Sequence, residues 1–303
     1  MVIDSERTGT GAQDSAADVG TEAVGPAGLQ VEPLSGTIGA VIRGVDLRSL
    51  TDATVSAIRH VWLERKVVFF PEQHLDDATH LAFSRRFGEL TEGHPVIPPV
   101  VGQPYIHEID YTKEFESSSR RGLGWHTDVT FMAHPPAGSI LNALDIPRAG
   151  GDTLWSDQES AFEALSPTLQ SFLLPLHAVH DGRGFQRLLD QRGEGRWEGS
   201  VVTSLDPVVH PMVTTHPETD RRALFVNPMF TSHIVELDRG ESDALLTYLY
   251  GHSVRPEHTV RYHWSAGDVG FWDNRSTQHS VVGDYGEQHR RIRRVTLRGH
   301  RPV

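Results

Sequence analysis

The chain has 303 residues, with 28 basic and 40 acidic side chains and a net charge of −12 with histidine neutral. That balance speaks against nucleic acid as the main partner, because phosphate binding needs clustered Lys and Arg. The absence of cysteine excludes disulfides, Fe–S clusters, thiolate nucleophiles and Cys-ligated zinc, so a metal must be held by carboxylate and by the 18 histidines.

Residues 1–28 are rich in Gly, Ala, Thr and acidic side chains and read as a disordered acidic tail. A single domain is expected over 29–303. The start MVIDSERTGTGAQ has neither a basic leader nor an apolar stretch, so no secretory signal is expected. No run of about 18 apolar residues suggests a membrane span. With no cysteine, the pattern fits a reducing cytoplasm.

Val55, Ile58, Val61 and Trp62 recur at helical spacing within Thr51–Lys66. VVFFP follows as a buried strand. A second helix is expected over Asp76–Phe87, with Asp76 as its cap and Gly88 just past its last turn. Glu159–Leu176 reads as a third helix and Glu241–His252 as a fourth. Between them lie short β-like runs: SILNAL, DTLWS, HPMVTTH, RALFVN, VRYHW, DVGFWD and RRVTLRG. VTTHPETDRRALFV reads as a hairpin turning at ETDR. Strict β-α-β alternation is missing, which argues against a doubly wound nucleotide fold. The expected class is mainly β with flanking helices, a sandwich of jelly-roll type.

His126-Thr127-Asp128 sets an imidazole and a carboxylate two residues apart, which on a strand places both on one face. About one H-x-D is expected by chance in a chain this rich in His and Asp. Indeed His74-Leu75-Asp76 is a second, read as a loop histidine followed by a helix cap. His279, following the strand DVGFWD, completes a set of two imidazoles and one carboxylate. Such a set leaves open positions on an octahedral ion and suits Fe(II). Zinc hydrolases also use two His and a carboxylate, though usually from H-E-x-x-H, which is not found here.

The blocks His126-Thr127-Asp128, GGDTLW, WDNR, His279 and Arg290 resemble the Fe(II)/2-oxoglutarate dioxygenases of the TauD/TfdA group, in order and spacing. The opening GTIGAVIRGVDL, AFSRRFGEL and HPVIP extend the resemblance over roughly 29–303. It implies a double-stranded β-helix core, a cupin-like jelly roll. It implies Fe(II) held by His126, Asp128 and His279, with 2-oxoglutarate and O2 as co-substrates. Arg290 would pair with the far carboxylate of 2-oxoglutarate, helped by the Thr153 hydroxyl. The reaction implied is hydroxylation of a C–H bond with release of succinate and CO2.

For the substrate, the resemblance points to Arg294 and His94 as contacts to a small organic anion. The taurine enzyme has Tyr where Ile97 stands and Asn where Gly122 stands, so the pocket should be roomier and more apolar than one for taurine. Sulfonates, sulfate esters and carboxylates with an alkyl or aryl body are the expected class, or a pathway-specific secondary metabolite or amino acid. A homo-oligomer, dimer or tetramer, is also implied. Two other readings compete: a zinc or manganese hydrolase on the same ligands, and a non-catalytic jelly-roll binding protein. Arg290 speaks against the first, since a hydrolase needs no dicarboxylate clamp. The complete ligand and clamp set speaks against the second.

Overall fold

The computed structural model describes residues 23–24, 28–95, 97–110, 124–191 and 205–303. Most of the expected tail, and Gly122, lie outside these residues. Helix α1 (Asp52–Arg65) begins where Thr51 accepts a hydrogen bond from the Thr54 amide, and it buries Ala57, Ile58, Val61 and Trp62. It stops at Lys66, whose backbone is left-handed (φ 62°). The chain then enters the strand Val67–Phe70, buried on both faces. Val68 and Phe70 pack with Ile58, Trp62, Phe83, Phe87 and Phe271. Val67 and Phe69 pack with Trp155, Trp264, Trp272 and Val260. An unbroken apolar run is what a strand sandwiched between two layers requires.

Among the described residues this strand belongs to a nine-stranded sheet. In chain order its strands are β1 (Ala23–Val24), β2 (Gln30–Pro33), β3 (Ala40–Arg43), β4 (Val67–Phe70), β5 (Pro99–Val100), β6 (Gln103–Asp110), β7 (Gly138–Asp145), β15 (Val269–Asp273) and β17 (Arg291–Leu297). In space they run β1-β2-β3-β4-β15-β7-β17-β6-β5, antiparallel except for β3–β4. Helices α1 and α2 (Asp77–Arg85) contribute to the core on one face. A three-stranded sheet, β14-β8-β16, packs on the other through the tryptophans (β8 Thr153–Asp157, β14 Thr259–Tyr262, β16 Thr277–Val281). Two facing antiparallel sheets, with the chain crossing between them from β15 to β16, form the jelly-roll double-stranded β-helix.

A second apolar cluster joins the rest. It contains the sheet β10-β9-β13 (β9 His177–His180, β10 Val208–Pro211, β13 Thr231–Ile234), the hairpin β11–β12 (Val213–Thr215 and Arg222–Leu224) and three helices. These are α3 (Gln158–Glu163), α4 (Pro167–Leu173) and α6 (Arg239–Ser253). Helix α5 (Arg183–Gln191) follows β9. The hairpin turns at ETDR as expected, with Thr215 opposite Arg222.

Three local expectations are corrected. The third helix is two, because Ser166 caps a new start and Pro167 takes its first position, where a missing amide hydrogen is harmless. Helix α2 ends at Arg85, and its cap Arg86 is right-handed, so Gly88 is not a left-handed terminator. His126-Thr127-Asp128 is not on a strand. His126 makes one isolated bridge to His279, and the chain then turns through Val129 at φ 56°.

Candidate active site

His126 and His279 exchange backbone hydrogen bonds in both directions, at 3.0 and 2.7 Å, so their side chains project side by side with ring centroids 4.2 Å apart. His279 is held by β16 opposite Trp155 on β8, and its ring lies 5.0 Å from that of Trp272. Asp128 reaches the same place through the turn. Its amide donates to Asn274 Oδ1 at 2.8 Å, while Asn274 Nδ2 donates back to Asp128 O and to Pro136 O. Thr127 ties the same stretch to Thr277 O at 2.8 Å. Asn274 is the third residue of WDNR, and its function is to lock the turn that aims the carboxylate. The motif was visible in the sequence; its partner was not.

Asp128 Oδ1 lies 3.8 Å from the Nε2 of each histidine. One ligand atom from each of the three buried residues falls within 4.8 Å of the others. The His126 Nδ1–H donates to Gly124 O at 2.8 Å, which leaves the Nε2 lone pair facing the carboxylate. Burial pushes both rings toward the neutral form, His279 down to about 3. Burial pushes the Asp128 carboxyl up, but Arg294, His279 and His126 outweigh it and hold it below the usual carboxylate range. Two neutral imidazoles and one ionised carboxylate are the protonation states a divalent ion needs, and the donor set fits iron. Ser139 donates to the remaining oxygen, Asp128 Oδ2, at 3.0 Å.

His74 and Asp76 belong to structure instead. Asp76 caps α2 by accepting from the Thr79 amide at 2.8 Å. The His74 ring covers Gly267, where a Cβ would meet it at 2.4 Å.

Arg290 precedes β17 and is fully buried, its Nε donating to Gly151 O at 3.1 Å. The approach depends on GGDTLW. Gly151 is left-handed (φ 73°), and a Cβ there would come within 3.3 Å of Arg290 Cδ. Thr153, buried on β8, shares the face of His279 by strand register. Its Oγ1 accepts from Trp264 Nε1 at 3.0 Å, so its own O–H is left to donate elsewhere.

Arg294 is buried on β17, and its Nη1 donates to Asp128 Oδ1 at 2.8 Å. Nothing in the residue types alone signals this pair. His94 is buried with its ring 5.7 Å from that of His107, and its Nδ1 accepts from the Ile97 amide at 3.1 Å. Ile97 is half-buried, and Gly122 lies outside the described residues. Trp155 is core, whereas Trp125 is half-buried. His180 bonds Thr130, His210 bonds Thr130 O and Met132 O, and His216 pairs with Asp273, all buried and structural.

Residues 30–296 match the family described as taurine catabolism dioxygenase TauD, TfdA family. The chain belongs to this family. It is a 2-oxoglutarate-dependent oxygenase, with iron as cofactor and 2-oxoglutarate and O2 as co-substrates. It is similar to an alkylsulfatase of Acinetobacter baylyi, 41% identical over 89% of this chain and 85% of that one. An alpha-ketoglutarate-dependent sulfate ester dioxygenase of Pseudomonas putida is 40% identical over 91% of each. The crystal structure of a taurine dioxygenase from Burkholderia xenovorans superposes with a TM-score of 0.76, at 41% identity over 91% of this chain and 92% of that one.

Proposed function

We propose that the chain hydroxylates a C–H bond of a small organic anion, a sulfate ester or sulfonate with an alkyl or aryl body, releasing succinate and CO2. The observation that carries this reading is the placement of Arg294, a buried guanidinium directly against the carboxylate of the His126–Asp128–His279 set. An anion held by Arg294 lies beside the position a metal would take. The sulfate ester and alkylsulfatase relatives support a sulfo head group.

In this reading His126, Asp128 and His279 hold the iron, which supplies the centre where O2 is reduced, 2-oxoglutarate is decarboxylated and the substrate carbon is oxidised. Arg290 takes the far carboxylate of 2-oxoglutarate as a charge-assisted partner. Thr153, already accepting from Trp264, donates its hydroxyl proton to the same carboxylate. His94, whose Nδ1 accepts from Ile97, carries its proton on Nε2 and offers it to the anion beside Arg294. Ile97 and Gly122 leave room for an apolar body, so taurine is a poor substrate. The dioxygenase domain spans residues 29–303, and Ala23–Val24 adds an edge strand to its sheet. With no cysteine the enzyme suits the cytoplasm, as a homo-oligomer. Among the described residues no helix is long and apolar enough to cross a membrane.

The test combines spectroscopy with turnover. Adding 2-oxoglutarate anaerobically to the Fe(II)-loaded protein should give a weak visible charge-transfer band. Succinate release should then depend on an alkyl sulfate or sulfonate more than on taurine. His126→Ala, Asp128→Ala and His279→Ala should each abolish turnover while His74→Ala retains it. Lack of the band, or taurine as the best substrate, would overturn the reading.

A further inference from the structure

His107 lies on β6 directly opposite Arg294 on β17, and opposed residues of an antiparallel pair project to the same face. Its chain neighbour Ile106 points the other way and packs with Leu81 and Val295. The His107 side chain therefore sits beside the Arg294 guanidinium, and its ring is edge-on to His94 with centroids 5.7 Å apart. It is 1% exposed, and among the described residues neither ring nitrogen has a hydrogen-bond partner. Other buried histidines differ. His80 bonds Ile140 O, His180 bonds Thr130, His210 bonds Thr130 O, and His252 bonds Ala161 O. A buried imidazole left without partners costs folding free energy that an apolar side chain would not, which is the mark of a group kept for a ligand.

A second donor on the same face is in the same condition. Arg294 spends Nη1 on Asp128, but its Nε is buried without a partner among the described residues. A partnerless imidazole and a partnerless guanidinium N–H, together with His94, ask for an acceptor-rich ligand such as an anion. Burial, and then the neighbouring Arg294 charge, pull the His107 ring down to about 3, so near neutrality it carries a single N–H.

We propose that His107 donates a hydrogen bond to the anionic head group of the substrate, forming with Arg294 and His94 a three-point anchor matched to the three terminal oxygens of a sulfate or sulfonate. This rests on the reading of the substrate as a small organic anion and adds the residue that favours a tetrahedral head over a planar carboxylate.

The test is anaerobic calorimetry on the full chain loaded with Fe(II) and 2-oxoglutarate, titrated with hexyl sulfate and with heptanoate. His107→Leu should weaken hexyl sulfate by about tenfold or more, the loss expected for one hydrogen bond to a charged group. It should weaken heptanoate less and leave 2-oxoglutarate affinity unchanged. His107→Gln, which keeps an N–H, should recover most of the loss. The thermal midpoint of His107→Leu should equal or exceed that of the parent, because an unpaired polar group is removed. Parent-like binding of hexyl sulfate by His107→Leu, with the parent itself binding and turning over, would overturn the anchor and leave the functional reading intact. An equal loss on heptanoate would overturn the match to a tetrahedral head. Failure of the parent to bind either anion would overturn both the small-anion reading and the anchor.

Discussion

Replacing Arg294 with Leu tests the charge balance on which the site rests. In the metal-free protein its guanidinium is the cation paired to Asp128, at 2.8 Å, with the two residues only 6% and 3% exposed. Removing one partner of a buried pair costs about 3–5 kcal/mol, because the other charge stays behind uncompensated. At slightly under 2 °C per kcal/mol for a domain of this size, the variant should melt roughly 5–9 °C below the parent in EDTA. A divalent ion between the two histidines would give Asp128 Oδ1 a new positive partner. Saturating Mn(II) with 2-oxoglutarate should therefore at least halve the gap. Differential scanning fluorimetry of parent and variant, with and without metal, reads both numbers. Adding Asp128→Asn to Arg294→Leu should recover much of the metal-free loss and abolish the metal response, since no buried charge is then stranded. A metal-free gap under about 2 °C, or one that Mn(II) leaves unchanged, would refute the reasoning.

Arg290→Ala should raise the KM for 2-oxoglutarate by about 150-fold or more, and Thr153→Val by about tenfold or more, the first losing a buried charge pair and the second one hydrogen bond to a charged group. An unchanged KM in a succinate assay would remove either residue from the co-substrate site. His80, buried with Nε2 3.2 Å from Ile140 O, has its ring pulled down by burial to about 4 from an ordinary 6.5. The unfolded chain takes up that proton first as pH falls, so the stabilisation is fully present above 6.5 and is lost progressively toward pH 4, by roughly 3 kcal/mol. Urea midpoints across that range should flatten in His80→Gln, and an equal slope in both proteins would exclude His80 as the source.

Elements with a strong local signal were legible in the sequence. Thr51 and Asp76 carry the hydroxyl and carboxylate that cap α1 and α2, and the run Val67–Phe70 is apolar because both faces of β4 are covered. The break between α3 and α4 was also written locally, as Ser166-Pro167, but the apolar periodicity across it was the louder pattern. The metal set could be found because H-x-D and the distant histidine carry their chemistry in their residue types. What could not be found depends on register between segments far apart in the chain. His107 on β6 meets Arg294 on β17 only through their pairing, and the Arg294–Asp128 pair spans 166 positions. An isolated histidine in QPYIHEID reads as one more strand residue until its neighbours are known.

The basic run HRRIRR shows how far alternation alone can go once a strand is granted. Side chains two apart on a strand share a face. Arg290, Ile292 and Arg294 are buried, whereas Arg291 and Arg293 are half-exposed and turn outward. Arg291 pairs with Asp145, and Arg293 with Asp77 and Glu108. Four similar cations thus divide into two that neutralise surface acids and two that remain inside. The inner pair is four residues apart, about 13 Å along an extended chain. One end of that span lies against Gly151 and the other against Asp128. That separation gives a site two cationic ends, so a dicarboxylate and a second anion can be held at once without sharing a charge. A shift of β17 by a single residue would turn both inner arginines outward and bring Arg291 and Arg293 in. The pairing of β17 with both β6 and β7 therefore keeps Arg290 and Arg294 on the inner face.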